Sequence, residues 1–507
     1  MRRAASLVCL LAGAAVASPS VEAATERERI EDAMRRATRF MVETVSHEGG
    51  YVWNYLPDLS RRWGELEASP TMIWIQPPGT ASMGEVFLDA HAATGDALYY
   101  DAAVRTARAL IRAQHPSGGW NYCADFAGEE SLRAWYATVG RNAWRLEEFQ
   151  HYYGNATFDD SVTASAARFL LQLYLARRDE AFRPALDRAI QFVLDAQYPN
   201  GAWPQRFPLM SGFSKDGHPD YSGFATFNDD VAAENIDLLL RAAETLGQPR
   251  LAEAARRGMD AFLLAQLPPP QPGWALQYTV DLQPAGARTY EPRALATHAT
   301  AENIEQLFRF YRMTGDGKYL ARVPEALDWL DAVALPRDLQ RETGRTHPTF
   351  IELGTNQPLY IHRSGSNAAN GRYYVDRNPS TTVAHYASFR AIDVRGLRRE
   401  LERCQQETPP RRLPSAGSVR HRGDVPVVLR ELSAAGYWPA PLARISHPYR
   451  GEAPAEVAPG EFAQSQVGDT WDTSPYPPEQ PVIGISTARY IENMRVLIDR
   501  LRQIKTK

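Results

Sequence analysis

The chain has 507 residues, 44% hydrophobic and 23% charged, with 36 Pro, 34 Gly and three Cys. That balance excludes a disordered tail protein and a disulfide-built scaffold. A formal net charge of −4 argues against a nucleic-acid partner held by bulk charge, so anion binding must come from locally placed Arg.

At the N-terminus, Arg2 and Arg3 precede an apolar run over 4–17 and small residues ending Val21-Glu22-Ala23. These are the parts of a secretory signal peptide, assigned to residues 1–23. The run is too short for a permanent membrane helix, which needs about 20 residues, and no later segment is long and apolar enough to span. The expectation is a periplasmic or secreted protein with no membrane span. Cleavage removes Cys9 and leaves Cys123 and Cys404, whose pairing the spacing does not decide. No tight Cys/His spacing points to structural zinc.

Downstream the sequence repeats. Gln114-His-Pro-Ser-Gly-Gly-Trp120 recurs as Gln197-Tyr-Pro-Asn-Gly-Ala-Trp203, more loosely from Gln266 to Gly273-Trp274, and in degenerate form from Glu43 to Gly49-Gly50-Tyr51. Apolar residues at three-to-four spacing predict a helix before each clear copy, over 98–114, 181–197 and 251–266. A partner helix precedes each across a short polar break, at 94–96, 178–179 and 246–248, with a further break at 314–316. Short connections imply antiparallel neighbours. The partner helices open alike: Thr157-Phe-Asp-Asp160, Thr226-Phe-Asn-Asp-Asp230, Thr297-His-Ala-Thr300 and Ile485-Ser-Thr487. Helical hairpins repeated about a centre predict an all-α fold, an (α/α) toroid, over 24–335. The partner-helix starts then converge on one face, where chemistry is expected.

Residues 336–482 break the pattern, with clustered Pro and strand-like pieces at 349–353 and 372–375. They read as a strand-and-loop insertion carrying part of the active site. A closing helix at 487–501 lies within 483–507.

Asp159-Asp160 and Asp229-Asp230 are the first chemical candidates. They suit helix capping; equally, convergent carboxylates beside Asn228 supply the hard oxygen ligands that Ca²⁺ prefers. Trp120 and Trp203 either plug gaps between hairpins or floor a sugar site. Arg288-Thr-Tyr290-Glu291 and His362-Arg363-Ser-Gly365 are polar clusters in predicted turns. No nucleophile elbow, P-loop or dinucleotide fingerprint is present.

The ordered motifs Gln197-Tyr-Pro-Asn-Gly-Ala-Trp-Pro-Gln205, Ala225-Thr-Phe-Asn-Asp-Asp230, Ala287-Arg-Thr-Tyr-Glu-Pro292 and Phe350-Ile-Glu-Leu-Gly-Thr-Asn-Gln-Pro358, followed by Arg363, resemble the family 10 pectate lyases. The likeness runs over about 133–365. It implies a toroid and Ca²⁺-assisted β-elimination of polygalacturonate. By the same resemblance Asp159 and Asp229 serve the calcium, with Asp160 and Asp230 close by on the substrate. Arg288, with Tyr290, would bind a uronate carboxylate, and Arg363 would take the C5 proton. Trp120 and Trp203 are carried as sugar-stacking residues. The chain departs from the family at Thr349, where an Arg is usual; polygalacturonate stays the first expected substrate, with a different uronate polymer or weaker activity as the alternatives this departure opens. The expected partner is an acidic polysaccharide, met by a monomer. A toroidal glycoside hydrolase using Asp159 and Asp229 as acid and base is the competing enzyme reading. A polysaccharide-binding protein with a degenerate site is the non-enzyme one.

Overall fold

The computed structural model describes residues 25–505, except 211, 213, 215–217, 366–370, 384–385, 408–422, 453 and 455–467. The leader assigned to 1–23 lies outside the described residues. The helices are α1 (Glu26–Phe40), α2 (Thr80–Thr94), α3 (Ala97–Ala113), α4 (Glu129–Trp135), α5 (Val162–Arg177), α6 (Arg183–Ala196), α7 (Val231–Leu246), α8 (Pro249–Ala265), α9 (Thr297–Thr314), α10 (Val323–Ala332), α11 (Arg337–Thr343), α12 (Val394–Gln406), α13 (Val425–Glu431) and α14 (Thr487–Lys505). Three of the breaks end an inner helix on a left-handed Gly: Gly95 after α2, Gly247 after α7 and Gly315 after α9. Arg178 takes that conformation after α5. A left-handed residue past the last turn satisfies orphan carbonyls and reverses the chain, so each break makes an antiparallel hairpin.

Burial separates two layers. α5 buries residues around most of its circumference, whereas α6 buries one stripe through Leu186, Ala189, Ile190 and Val193. A helix hydrophobic all round lies inside, and a striped one lies outside. Ion pairs knit the inner helices in sequence. Arg168 on α5 reaches Glu85 on α2 at 2.9 Å and also pairs with Glu234 on α7, and Arg309 on α9 pairs with Asp237 on α7. α14 packs against both α2 and α1; Thr38 and Tyr490 share a 2.6 Å hydrogen bond, and Arg500 pairs with Glu26 at 2.7 Å.

The repeated Gln-to-Trp loop explains the ring. Gln114 Nε2 donates to Gly118 O at 2.7 Å and to Ala185 O at 2.9 Å, tying its own loop to α6. Gln197 does the same to Gly201 O and to Ala254 O on α8, both at 2.9 Å. The loop glycine has positive φ, and a Cβ there would strike the backbone of the next outer helix. Gly49 rests on Arg105 of α3, Gly118 on Arg188 of α6, Gly201 on Arg257 of α8 and Gly436 on Arg36 of α1. The last of these returns to the first helix, so the outer layer closes on itself. The architecture is an α/α toroid.

Trp120 and Trp203 are plugs, not platforms. Both are 0% exposed, with Nε1 donating to Leu110 O and Val193 O at 2.8 Å, and Gly258 of α8 lies flat against the Trp203 ring. A ring sealed on both faces has none left for a sugar, which corrects their assignment as substrate-binding residues. Trp203→Ala is expected to cost about 3–5 kcal/mol in denaturant unfolding with saccharide affinity unchanged. Weakened sugar binding at full stability would restore the platform.

The 336–482 region contributes more helix than the sequence suggested. α12 packs on α9 and α10, and α13 packs on α14. The strands Ala294–Ala296, Phe350–Glu352, Pro358–Ser364 and Arg372–Asp376 form an antiparallel sheet in that order. At the closure, Ile483–Ser486 pairs with Asn54–Tyr55. Cys123 and Cys404 are buried free thiols and do not pair. Among the described residues no helix is long and apolar enough to cross a membrane.

Candidate active site

Two short strands aim the acids. Ala156–Thr157 pairs with Arg206–Phe207, and Ala225–Thr226 pairs with Gln277–Tyr278. Beyond each strand the chain enters its helix through two left-handed residues: Asp160 and Ser161 (φ 48° and 61°) before α5, Asp229 and Asp230 (φ 52° and 58°) before α7. Left-handed non-Gly residues cost of order 1–3 kcal/mol each and persist where surrounding structure holds them. Neither Ser161 nor Asp230 makes a side-chain cap bond. The acids therefore do not cap their helices; the kinked entry turns carboxylates into the ring centre instead. It also corrects the register between the repeats. Asp160 matches Asp229, Asn228 matches Asp159, and Asp230 matches Ser161. Asp230 is exposed at the rim, while carboxylate oxygens of Asp159, Asp160 and Asp229 lie within 4.8 Å of one another.

Arg288 is locked among carboxylates. It is 4% exposed and its guanidinium meets Asp159 Oδ2 at 2.6 Å, Glu291 Oε1 at 3.0 Å, Asp229 Oδ2 at 3.2 Å and Glu148 Oε2 at 3.4 Å. Neutral donors complete the cage. Gln205 Nε2 and the Tyr122 hydroxyl donate to Asp159 Oδ2. Gln76 Nε2 bridges Asp160 Oδ2 at 2.7 Å and Glu65 Oε2 at 2.9 Å. Asn228 Nδ2 donates to Asp229 Oδ2 at 2.6 Å.

One cation against so many buried acids leaves negative charge uncompensated. Burial, then the charge of Asp159, pushes both Asp160 and Asp229 well above the usual carboxylate range. Burial and neighbouring acids push Glu148 up to about 7 and Glu65 to about 8. Asp159 Oδ1 is fully buried with no hydrogen-bond partner. A buried lone pair left unmatched among hard oxygen donors is what a Ca²⁺ site offers. The residues present fit such an ion, with Asp159, Asp160 and Asp229 as its holders.

Acids raised in the folded state bind more protons there than in the unfolded chain between their ordinary value of 4.5 and their folded values of about 7 and 8. Their stabilising contribution is complete below pH 4.5 and disappears as pH rises through 7 to 8. In chelator, stability is expected to fall by several kcal/mol between pH 5 and pH 8, read from urea midpoints. A midpoint rising across that window would contradict the charge balance of this site.

Arg363 sits on the wall built by the inserted sheet. Its strand Pro358–Ser364 pairs with Arg372–Asp376, placing Arg363 opposite Tyr373. The guanidinium lies 4.5 Å from the Trp144 ring centroid and 5.1 Å from that of Tyr373. It is 4% exposed, and burial lowers its pKa. Tyr290 joins the two halves of the site. Its ring meets Tyr373 edge-on at 5.5 Å and its hydroxyl donates to Glu148 Oε2 at 3.3 Å. Being fully buried, Tyr290 braces Arg288 and Arg363 and does not face substrate, which corrects its assigned role. Thr349 donates its hydroxyl to Ala387 O and turns no cation towards the site.

Sequence reasoning missed Glu65, Gln76, Tyr122, Glu148 and Gln205. Part of the signal was present. Trp120-Asn-Tyr122 and Trp203-Pro-Gln205 each place a donor two residues after a plugging Trp, on the same face of an extended segment, and Trp74-Ile-Gln76 repeats the Trp-to-donor spacing outside the repeated loop. Glu148 carries no such mark.

A sequence model of the family described as pectic acid lyase matches residues 125–373. No curated protein matches the chain. Among solved structures, a family 10 polysaccharide lyase from Cellvibrio cellulosa is 20% identical with a TM-score of 0.37, over 55% of this chain and 84% of its own. A family 76 α-mannanase from Bacteroides thetaiotaomicron is 11% identical with a TM-score of 0.38, over 94% and 96% of the two chains. Another family 76 mannosidase from Bacteroides thetaiotaomicron is 8% identical with a TM-score of 0.40, over 95% and 99%.

Proposed function

Through residues 125–373 the chain belongs to the pectic acid lyase family, and on that premise we propose that this polysaccharide lyase cleaves a uronic-acid polymer, polygalacturonate first, by calcium-assisted β-elimination outside the cytoplasm. The observation that carries the reading is the pairing of two environments. A buried Arg363 whose burial favours the neutral guanidine is joined through Tyr373, Tyr290 and Glu148 to Arg288, which sits in a carboxylate cluster short of positive charge.

The hydrogen on C5 of a uronate lies α to a carboxylate, and it becomes acidic when that charge is neutralised. Calcium held by Asp159, Asp160 and Asp229 supplies that neutralisation when bound. Glu291 accepts from both Arg288 N and Nη1, and with Asp159 it fixes the Arg288 fork over the site, so that the guanidinium adds to the positive field. Arg363, in its neutral form, accepts the C5 proton. The electrons of the C5–H bond become the C4–C5 double bond as the C4–O4 bond breaks, and the departing oxygen takes a proton from water. Trp144 and Tyr373 hold the guanidine plane and exclude water from it. The leader assigned to 1–23 supports export.

The test is ultraviolet absorbance of unsaturated product. Mature protein is offered polygalacturonate and other uronates, with calcium and with chelator. Calcium-dependent product from any of these upholds the reading. Sugar cleaved without an unsaturated end means a hydrolase, and sugar bound without cleavage means a binding protein.

A further inference from the structure

The pectic acid lyase match ends at residue 373, but a later segment finishes the wall that holds Arg363. Residues 469–475 lie as a strap across the loop 139–145. Thr473 N donates to Asn142 O at 3.3 Å and its hydroxyl to Val139 O at 2.6 Å. Arg145 N donates to Ser474 Oγ at 3.3 Å, and the Arg145 guanidinium donates to Pro475 O. That loop presents Trp144, whose ring flanks Arg363 at 4.5 Å. Trp144 O in turn accepts at 3.1 Å from the hydroxyl of Tyr373, the second ring beside the guanidinium. Strap, loop and guanidinium therefore form one packed stack.

The strap buries an acid, Asp472. Its Oδ1 accepts from Ser474 N at 2.8 Å, and its own N donates to Asp469 O at 3.0 Å. The turn is so tight that a Cβ on Gly468 would strike the carboxylate. Asp472 Oδ2 is buried with no hydrogen-bond partner. Leaving such an oxygen unmatched is costly, so the acid is explained by its charge and not by its hydrogen bonds. The groups around it are Arg145 on the loop, Asp469 in its own turn, and Arg363 and Tyr373 on the inserted sheet. Arg444 and Glu65 act in turn on Arg145, and Glu147 on Tyr373. Burial pushes Asp472 up to about 7, so it is ionised above neutrality. Burial lowers Arg363, and Tyr373 and then the charges of Asp472 and Asp469 oppose that fall.

We propose that Asp472 is a positioning residue for Arg363: its strap fixes Trp144 against the guanidinium, and its carboxylate supplies the negative charge that holds the guanidinium proton in the resting protein. The inference rests on the lyase reading of the central site. A resting guanidinium carries a full positive charge, whereas a guanidine taking the C5 proton carries only part of one in the transition state. An ionised Asp472 therefore stabilises the resting form more, and it slows turnover wherever Arg363 rests protonated. Protonated Asp472 exerts no such hold. The strap thus turns turnover down between neutrality and the pH at which Arg363 sheds its proton.

The experiment compares kcat against pH for the parent and Asp472→Asn, which keeps the size of the side chain and an acceptor for Ser474 N. The two profiles are expected to meet near pH 6, where Asp472 carries its proton. Near pH 9 the variant is expected to turn over about threefold faster than the parent. A purely structural acid would lower the variant at every pH, and that result, or profiles that coincide throughout, would overturn the proposal. A second measurement leaves the strap intact. In protein labelled with carboxyl-¹³C aspartate, the infrared acid band that titrates near 7 is followed in the parent and in Arg363→Met. Attraction between two charges is mutual, so losing the guanidinium is expected to raise that midpoint by about half a unit or more; an unmoved midpoint would also overturn the proposal. The lyase reading fails separately if the wild-type protein yields no unsaturated product, and the infrared titration still decides the coupling in that case.

Discussion

Arg363→Ala is expected to lower kcat by about 10³-fold while leaving the fold and KM for polyuronate nearly unchanged. A positioned general base contributes about 10²–10⁴-fold, and here no neighbouring group substitutes. Trp144 and Tyr373 flank the guanidinium with rings, and a phenol pushed up by burial, as Tyr373 is, is a poor base near neutrality. Arg363→Lys would keep a cation but lose the planar group that stacks between two aromatic walls, so it too should turn over slowly. Wild-type kcat should climb with pH into the alkaline range, because only the neutral guanidine accepts a proton. Steady-state rates of the two variants, with circular dichroism to verify folding, check this. Substantial turnover by Arg363→Ala would remove Arg363 from the chemistry.

Arg288→Ala should lower stability as much as the loss of a plugging Trp. Asp159, Asp229, Glu148 and Glu291 share this one guanidinium, and deleting one partner of a buried ion cluster typically costs about 3–5 kcal/mol because the remaining charges stay buried and unmatched. Arg288→Lys should rescue little, since an ammonium is a point charge that cannot fork to four acceptors. Calcium should restore part of the loss, since an ion bound only by the folded state stabilises it in proportion to the logarithm of its concentration over Kd. Denaturant unfolding in chelator and in millimolar calcium measures both. A variant as stable as the parent in chelator would show that the acids carry protons instead of sharing Arg288.

The hairpins were legible in the sequence because their signals are local. Spacing in 98–114 and 181–197 gave α3 and α6 to within two residues at each end, and Gly or Arg at the breaks marked the reversals. α12 was hidden by its Pro-rich surroundings, although Val394, Leu397, Leu401 and Cys404 lie on one helical stripe. The match of Gly436-Tyr-Trp438 to Gly201-Ala-Trp203 also passed unseen, yet Trp438 Nε1 donates to Val428 O at 2.8 Å as its counterparts do to their own helices. At the site, residue types were legible but commitments were not. Whether an Arg is free for a ligand depends on carboxylates brought from 129 and 59 positions away. Sequence motifs marked both Arg288 and Arg363, and only the fold shows one saturated by acids and the other wrapped in rings. The Asp pairs were misaligned by one residue because the acids themselves served as the guide; the Val that opens each helix, Val162 and Val231, gives the correct register.

The return of Gly436 onto α1 has a consequence for how the chain is made. Among the described residues α1 is synthesised before every other helix, yet the loop that covers its outer side comes from residue 436 and the helix that packs beside it begins at Thr487. Until then its buried face, through Ile30, Met34 and Ala37, lacks part of its cover. Contacts between opposite ends of a chain are the slowest to form, so the ring is built in order around the circle and waits with an open seam. The same closeness of the ends, seen in the Arg500–Glu26 pair, means that the circle has no structural beginning. A circular permutant joined across that seam and opened at the Gly95 turn would meet the same neighbours in a different birth order.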